Sequence, residues 1–402
     1  MRSPAAWAAA PLLALLLAAA CAGAGASVFG KTPEDAMIKW LEGKGGKFAV
    51  TIETPKSGGA RGTYATKAVP KDGLLAKIPL SAGIWFPASY NDFAELGVIT
   101  AREAAKKGGS FRPYLDALPM LRDPLHTISF ETFPLEYLHL IQNDVMATHI
   151  TSTQSGTHNY WATNGVELAE EGITLDLLRA ALVTVATRYF GISHKGSSAS
   201  IMIPLLDFAN HFQNCSNYYE YRPCSLTDEQ AHKAASGKAT PEEEAKWGAD
   251  AVEQDEVCCY WRAGEPIKAG QEACNRYGYM APDQAFFQYG FNLPDEPPAL
   301  SRMDQASYSS EYIYGTKAHE EPEEFKGSAD ELEEEAARVT AQLELVRRGA
   351  KVEASAPAAR GDPGGAVLSG LRALRRQRIE ALEAELKRLG AAAAEARGSE
   401  EL

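Results

Sequence analysis

The chain has 402 residues, of which 45% are hydrophobic, and its formal net charge is -13, from 40 Lys and Arg against 53 Asp and Glu. This length and apolar content suffice for one or two domains with real cores, which excludes a disordered chain. Because an acidic surface repels phosphate backbones, the charge argues against nucleic acid as a direct substrate and favours a basic protein segment as partner. A solvated surface with no charge-selected partner explains the same excess.

The first 26 residues have the pattern of a secretory signal peptide. Arg2 precedes an Ala- and Leu-rich run over residues 5–20, and small residues at 24–26 suit a signal-peptidase site. Residues 1–26 are therefore predicted to be removed, which places the protein in the secretory pathway or outside the cell. A plastid reached by a signal-dependent route is the alternative. No comparable apolar run follows, so no membrane span is predicted after cleavage.

Residues 27–92 are predicted to form a small β unit. A helix over residues 32–41 comes first, followed by a strand at 48–52 and a Gly-rich turn. Two further short strands are predicted at 63–66 and 73–78, where Pro79 ends the second.

Residues 93–190 are predicted to be helical. Apolar residues at spacings of three and four predict helices over 134–147 and 174–190, and Thr174 is placed to cap the second. Strands then resume within residues 191–298, so a helical insertion divides a β-rich domain. Those strands are predicted at 200–206, 256–261 and 272–277, with a polar surface loop at 212–255.

The region 299–402 is predicted to be helical and short. Ser328 with Glu331 forms a capping box, and Gly349 closes the first helix. A Pro-, Ala- and Gly-rich linker over 350–365 leads to a second helix with a stripe of leucines. The two apolar stripes are predicted to pack on each other or on the rest of a monomeric chain, with a partner-binding or dimerising coiled coil as the alternative.

Five cysteines remain after signal cleavage, so pairing within one chain is incomplete. Cys215 with Cys224 is the favoured disulfide for an oxidising compartment, although connectivity does not follow from sequence. A zinc site using His211, Cys215, Cys224 and Cys258 lacks the paired close spacings of such sites, so no metal is predicted. Asn214 begins an N-x-S sequon that lies three residues from His211, and glycosylation there is not expected.

Two short motifs carry the strongest functional signal. Residues 204–211 read PLLDFANH, and Arg276-Tyr277-Gly278 begins 65 residues after His211, with YGF following at 289–291. Asn210 offers an amide donor and acceptor, His211 a ring or backbone contact, and Tyr277 a hydroxyl that can steer an amine.

Together the motifs resemble the two halves of the site in SET-domain protein methyltransferases, and further segments resemble the Rubisco large-subunit methyltransferase-like branch. These segments are residues 60–66 (ARGTYAT), 111–119 (FRPYLDALP), 187–190 (TRYF) and 269–278. The resemblance implies an α+β fold: a β-rich SET domain with pseudoknot-like threading, interrupted by a helical insertion and followed by a short all-α C-terminal region.

The resemblance also implies roles for individual residues. S-adenosylmethionine is the implied cofactor, and Tyr277 is the implied catalytic residue. Phe190 and Tyr289 are implied walls of the substrate channel. The implied cofactor-binding residues are Gly62, Tyr64, Arg188, Asp207, Asn210, His211 and Tyr289.

The reaction implied is methyl transfer to a lysine amine of a protein substrate. The enzyme would mainly supply alignment, because the cofactor sulfonium is a good leaving group. Histidine is the alternative acceptor, since the branch includes both, and a non-catalytic SET-like binding module is the competing class. Phe212 in place of the usual Ser and Tyr64 in the cofactor loop are departures from the family pattern at the cofactor site. The C-terminal region is shorter than the family's substrate-binding domain, so the protein substrate is not inferred.

Overall fold

The computed structural model describes residues 32–55, 61–86, 93–122, 127–278, 280–293, 326–353 and 365–400, together with residues 356, 359 and 362 and the backbone of 299–303 and 313–317. The predicted signal peptide lies outside these residues. No helix in the described part of the chain is long and apolar enough to cross a membrane.

The N-terminal β unit starts from helix α1, Pro33–Gly43. Thr32 caps this helix in a reciprocal capping box with Asp35, and Met37 and Leu41 are buried against the strands. The strands that follow are β1 Lys47–Phe48, β2 Val50–Glu53, β3 Gly62–Ala65, β4 Leu74–Pro79 and β5 Ile84–Phe86.

The helical insertion comes next and has an apolar core of its own. Its helices are α2 Phe93–Ala105, α3 Arg112–Ala117, α4 Leu138–Ile141, α5 Asp144–Glu170 and α6 Leu175–Arg188. The single helix predicted over 134–147 is wrong. Gln142 adopts a left-handed conformation with φ of 53°, and the Asn143 side chain then caps α5. The prediction failed because the apolar spacing continues across the boundary between α4 and α5.

Helix α6 is capped by Thr174 as predicted, but it ends at Arg188 rather than at 190. Strands β6 Tyr189–His194 and β7 Ser197–Met202 form a hairpin. Lys195 and Gly196 both have positive φ, the conformation that a two-residue turn between twisted strands requires.

The segment 212–255, predicted as a surface loop, contains regular structure. It holds strand β8 Tyr218–Pro223 and helices α7 Asp228–Ala235 and α8 Pro241–Trp247, each helix with a capping box at its start. Strand β9 Val257–Arg262 is buried along its whole length and pairs with both β4 and β8. The sheets have the strand orders β1-β4-β9-β8, β2-β3 and β5-β7-β6.

The predicted threading lies at residues 210–212. The backbone of this segment crosses residue 275 through an isolated parallel bridge between His211 and Asn275. Asn275 N donates to Asn210 O at 2.9 Å, and Phe212 N donates to Asn275 O at 3.1 Å. Residues 272–277 were predicted to form a strand, but Glu272 and Asn275 instead form isolated β-bridges with Tyr64 and His211. This crossing brings the two sequence motifs into contact.

Two disulfides fix the same region, and neither is the predicted Cys215–Cys224 pair. Cys215 is bonded to Cys274, and Cys224 is bonded to Cys258. The threading brings Cys215 beside Cys274, whereas Cys224 follows β8 and therefore meets its antiparallel neighbour β9. Cys259 is a buried free thiol. Three of the four residues of the zinc set that the sequence argued against, Cys215, Cys224 and Cys258, are disulfide-bonded.

The C-terminal region follows α9 Pro282–Tyr289 and a strand pair, β10 Ala299–Met303 with β11 Ile313–Lys317. Helices α10 Ala329–Glu353 and α11 Ala366–Glu400 pack antiparallel on each other through their apolar stripes. The first turns of α11 also pack on Phe133, Phe286 and Phe287. The helices therefore pack both on each other and on the rest of the chain, as predicted.

Candidate active site

A cavity of about 540 Å³ lies where the threaded segment meets α6 and α9. It contains most of the residues that the sequence singled out. The predicted residues that line it are Tyr64, Arg188, Asp207, Asn210, His211, Tyr277 and Tyr289. Residues from five separate parts of the chain thus converge on one space.

The PLLDFANH segment is held in a tight, buried conformation. Leu205 has φ of 74° and ψ of -50°, which costs a non-Gly residue of order 1–3 kcal/mol. A single 3₁₀ turn, Leu206–Phe208, follows it. This strained turn aims the Asp207 side chain at Arg188 and delivers Asn210 to the crossing.

Asn210 is anchored through its side-chain amide nitrogen. The Nδ2 group donates to Arg61 O at 3.1 Å and to Glu272 Oε1 at 2.7 Å. Because an amide nitrogen carries only two hydrogens, both donors are used within the protein, and Oδ1 is the group left for a ligand. The prediction that Asn210 offers both a donor and an acceptor is therefore corrected to an acceptor alone.

Gly62 makes this anchoring possible. A Cβ at this position would lie 2.5 Å from Glu272 Oε1 and 2.6 Å from Asn210 Nδ2. Any larger residue would have to displace one of these groups. Gly62 acts on the cavity through Asn210, since its own backbone is not part of the lining.

His211 joins the two motifs through its ring. Its Nδ1 accepts from the backbone N of Tyr277 at 3.1 Å, so the proton of the neutral ring is on Nε2. Nε2 lies 3.1 Å from Gln213 Oε1 and donates to it. Both ring nitrogens are thus used within the protein.

Tyr277 is half-buried, and its hydroxyl donates to Ala209 O at 2.8 Å. Burial, opposed by nearby Arg188 and aided by Asp207, raises the pKa of Tyr277 to about 12. The hydroxyl is therefore protonated at neutral pH, and its remaining lone pairs can accept a hydrogen bond. This group can orient an amine but is not a base.

Arg188 is held by Asp207 and Phe208. Its Nη1 donates to Asp207 O at 2.5 Å and lies 3.4 Å from Asp207 Oδ2, and its guanidinium stacks 4.8 Å from the Phe208 ring centre. Arg61 stacks on the same ring at 4.7 Å, and its pKa is lowered by burial and, to a smaller extent, by the nearby positive charge of Arg188. Arg188 is therefore fixed in a defined orientation.

Asp207 is fully buried and accepts from Tyr114 Oη at 2.6 Å. Burial raises the pKa of Asp207, and the nearby Arg188 and the Tyr114 hydroxyl oppose that rise. Two buried atoms of this group, Arg188 Nε and Asp207 Oδ1, have no hydrogen-bond partner among the described residues. Both residues line the cavity, but neither of these two atoms is itself exposed to it.

Aromatic side chains form another part of the wall. Tyr289 lies 5.2 Å from Tyr277, and Phe291 lies 5.8 Å from His211, measured between ring centres. Of the two predicted channel walls, Tyr289 lines the cavity, whereas Phe190 lies on β6 and packs edge-to-face on Tyr219 at 5.7 Å. Aromatic rings thus lie beside the Tyr277 ring along this part of the cavity.

Sequence reasoning missed three residues that shape this site. Glu272 accepts from Asn210, Tyr114 donates to Asp207, and Phe291 lines the cavity. Each lies inside a segment that the resemblance had marked, but their partners are 62 to 93 positions away in sequence. Only the threading reveals those pairings.

This architecture is the SET-domain fold, as the motifs predicted. The crystal structure of the SET domain of LSMT bound to lysine and AdoHcy is similar to this chain with a TM-score of 0.61, covering 90% of this chain and 92% of that one at 13% identity. A structure of Rubisco LSMT bound to AdoMet gives 0.59, covering 90% and 93% at 13% identity.

A third structure, Rubisco LSMT bound to sinefungin and monomethyllysine, gives the same TM-score of 0.59 over the same shares, again at 13% identity. No protein-family model and no curated protein matches the sequence. The likeness is therefore one of fold, and it extends over 90% of this chain.

Proposed function

We propose that this protein is an S-adenosylmethionine-dependent protein-lysine N-methyltransferase. The observation that carries the proposal is the convergence of Arg188, Asp207, Asn210 and Tyr277 on one cavity of about 540 Å³. The solved structures of the same fold were determined with AdoMet, AdoHcy, sinefungin or lysine compounds. The charged and polar side chains of this cavity are of the kind that can bind ligands of that class.

The cavity residues fit the amino-acid end of such a cofactor. Arg188 presents a partly exposed guanidinium to the cavity, whereas the Asp207 carboxylate is fully covered and holds Arg188 in place. The carboxylate of the cofactor's amino-acid end would pair with this guanidinium, and charge-assisted bonds of this kind are among the strong ones. Asn210 Oδ1 adds an acceptor, and the Phe291 ring adds an apolar face.

When bound, the cofactor would supply a methyl group on a positively charged sulfur. The protein's residues then have two tasks, which are alignment and exclusion of water. Holding two reactants in line can be worth about 7–11 kcal/mol of barrier. Tyr277 Oη, fixed by its bond to Ala209 O, can accept from the attacking amine and set its direction.

The acceptor is proposed to be lysine. Its amine has a pKa of about 10.4 in water, and an apolar surrounding lowers that value because it disfavours the charged form. Tyr277, Tyr289 and Phe291 provide this surrounding. Since Tyr277 keeps its proton, the proton of the lysine has to leave to water before transfer.

An oxidising compartment is proposed for the same protein. The predicted signal peptide and the two disulfides support a secretory or lumenal location, because disulfides are rare where glutathione keeps thiols reduced. The acidic charge of -13 supports a basic protein segment as substrate. The monomeric state is likewise a proposal.

The test is calorimetry with S-adenosylmethionine and its demethylated product, followed by transfer of a labelled methyl group to proteins of a whole-cell lysate. Label is expected on lysine, identified by mass spectrometry, and label on histidine would correct the acceptor. Tyr277→Phe is expected to bind the cofactor but lose most transfer activity.

Tyr218→Phe is the matched control, because its hydroxyl bonds Asp72 outside the cavity. Absence of cofactor binding at high micromolar concentration, or full activity in Tyr277→Phe, would overturn the proposal.

A further inference from the structure

The Cys215–Cys274 disulfide lies between the two halves of the site. Cys215 comes four residues after His211, and Cys274 comes three residues before Tyr277. Their Cα atoms are 6.0 Å apart, and the bond closes a separation of 59 residues. The bond therefore ties the threaded segment to the segment that carries the tyrosine.

Few other interactions hold this crossing. The two segments share one isolated bridge rather than a ladder of strand pairs. Among the described residues, the hydrogen bonds between the two segments include two backbone bonds to Asn275, the bond from Asn210 to Glu272 and the bonds from Tyr277 to His211 and Ala209. Loss of the covalent link would leave a short contact between segments distant in sequence.

The crossing sets the positions of Asn210, His211 and Tyr277, which line the cavity. His211 Nδ1 accepts from Tyr277 N, so a shift of one segment breaks a bond that sets the other. Asn217 Nδ2 donates to Cys274 O at 2.9 Å, which ties the disulfide to the residue that directly precedes β8. The disulfide thus fixes the distance between Asn210 and Tyr277 more directly than any strand does.

We propose that Cys215–Cys274 is a positioning cross-link of the site, and that its reduction by a dithiol lowers cofactor affinity. This inference rests on the proposed function. In the reduction the S–S bond breaks, two electrons and two protons pass from the dithiol to the two sulfurs, and the dithiol becomes its own disulfide. Cys274 is partly exposed, which gives a small dithiol access.

The second disulfide provides a matched comparison. Cys224–Cys258 joins the end of β8 to β9, two strands already paired along six residues. Its loss removes a link between partners that remain hydrogen-bonded, outside the cavity lining. Both bonds should contribute to stability, but only Cys215–Cys274 should contribute to the position of the site.

The experiment measures the Kd for S-adenosylhomocysteine by calorimetry on the oxidised full chain, after dithiothreitol treatment and after reoxidation. Mass spectrometry verifies the state of each cysteine. If the binding-competent arrangement falls to about one molecule in ten, the Kd rises about tenfold, and reoxidation restores it. Cys215→Ser/Cys274→Ser should have the raised Kd at all times, whereas Cys224→Ser/Cys258→Ser should bind like the oxidised wild type and respond to reductant.

The outcomes separate the two proposals. If the oxidised wild type does not bind, the proposed function fails. If it binds, and reduction at 215 and 274 leaves the Kd unchanged, the positioning role is refuted. Equal losses of Tm in both double variants with unchanged Kd would mean that the bond is merely structural. Should Cys215→Ser/Cys274→Ser fail to fold, the Kd of Cys224→Ser/Cys258→Ser before and after reduction decides the question.

Discussion

The docking of the C-terminal hairpin can be tested with one added methyl group. A Cβ at Gly370, in α11, would lie 2.7 Å from Phe286 Cζ and closer still to Cε2. The Phe286 ring has no room to retreat, because it is 1% exposed and packs on Phe287 with ring centres 5.0 Å apart. Gly390 lies in the same helix, and its Cβ would meet nothing within 4 Å.

Gly370→Ala and Gly390→Ala gain the same free energy from helix propensity, but they differ in the cost of overpacking. Gly→Ala in a helix interior gains up to about 1 kcal/mol from backbone propensity at both positions. Overpacking a filled core costs about 1–3 kcal/mol, and this cost applies at Gly370 alone. The propensity gain cancels in the comparison, so Gly370→Ala should be about 1–3 kcal/mol less stable than Gly390→Ala.

Urea denaturation followed by far-UV circular dichroism measures the difference, with equal m-values as the check that both variants unfold alike. Gly390→Ala should unfold at a higher urea concentration than the wild type, and Gly370→Ala at a lower one than Gly390→Ala. Equal midpoints for the two variants would refute the packing of α11 on Phe286.

Three predictions concern the site. Gly62→Ala should raise the cofactor Kd by about tenfold or more, because its Cβ displaces Asn210 or Glu272; unchanged affinity in calorimetry would contradict this. Glu272→Ala should cost more affinity than Glu272→Gln, since Gln keeps an acceptor for Asn210 Nδ2, and equal Kd values would count against that hydrogen bond. Burial raises the pKa values of Tyr277 and Tyr289 from 10.0 to about 12, so the folded state holds these protons more tightly than the unfolded state. The resulting stability is present below pH 10 and is lost as the pH rises to 12; urea midpoints that do not fall over this window, or that fall equally in a Tyr277→Phe/Tyr289→Phe variant, would contradict it.

The motifs allowed the fold to be predicted well where local sequence decides structure. Thr174 capped its helix as expected, and the Asn210-His211 and Tyr277 halves met in one cavity. The helix predicted over 134–147 failed because apolar spacing persisted across Gln142, although Asn143 followed by Asp144 is itself a helix-start signal. A stricter reading of caps would have found that boundary.

Other features depend on contacts that no local pattern contains. Cys215 with Cys224 was the predicted disulfide, but the threading brings Cys215 to Cys274, and the pairing of β8 with β9 brings Cys224 to Cys258. The donors of Asn210 were assigned to a ligand because Glu272 and Arg61 O are brought to it only by the fold. The role of a side chain at the site thus depends on which of its hydrogen-bonding groups are already bonded within the protein.

The hairpin formed by α10 and α11 has a consequence for biosynthesis. Arg375 and Arg378 of α11 donate to the carbonyls of Leu140 and Ile141, where α4 ends, and Arg378 pairs with buried Asp283 at 2.9 Å. Helix α11 is translated after every element that it covers. While the chain emerges from the ribosome, the apolar surface around Phe286 therefore stays open until α11 arrives, and exposed apolar surface of this kind makes a partly folded chain prone to aggregate.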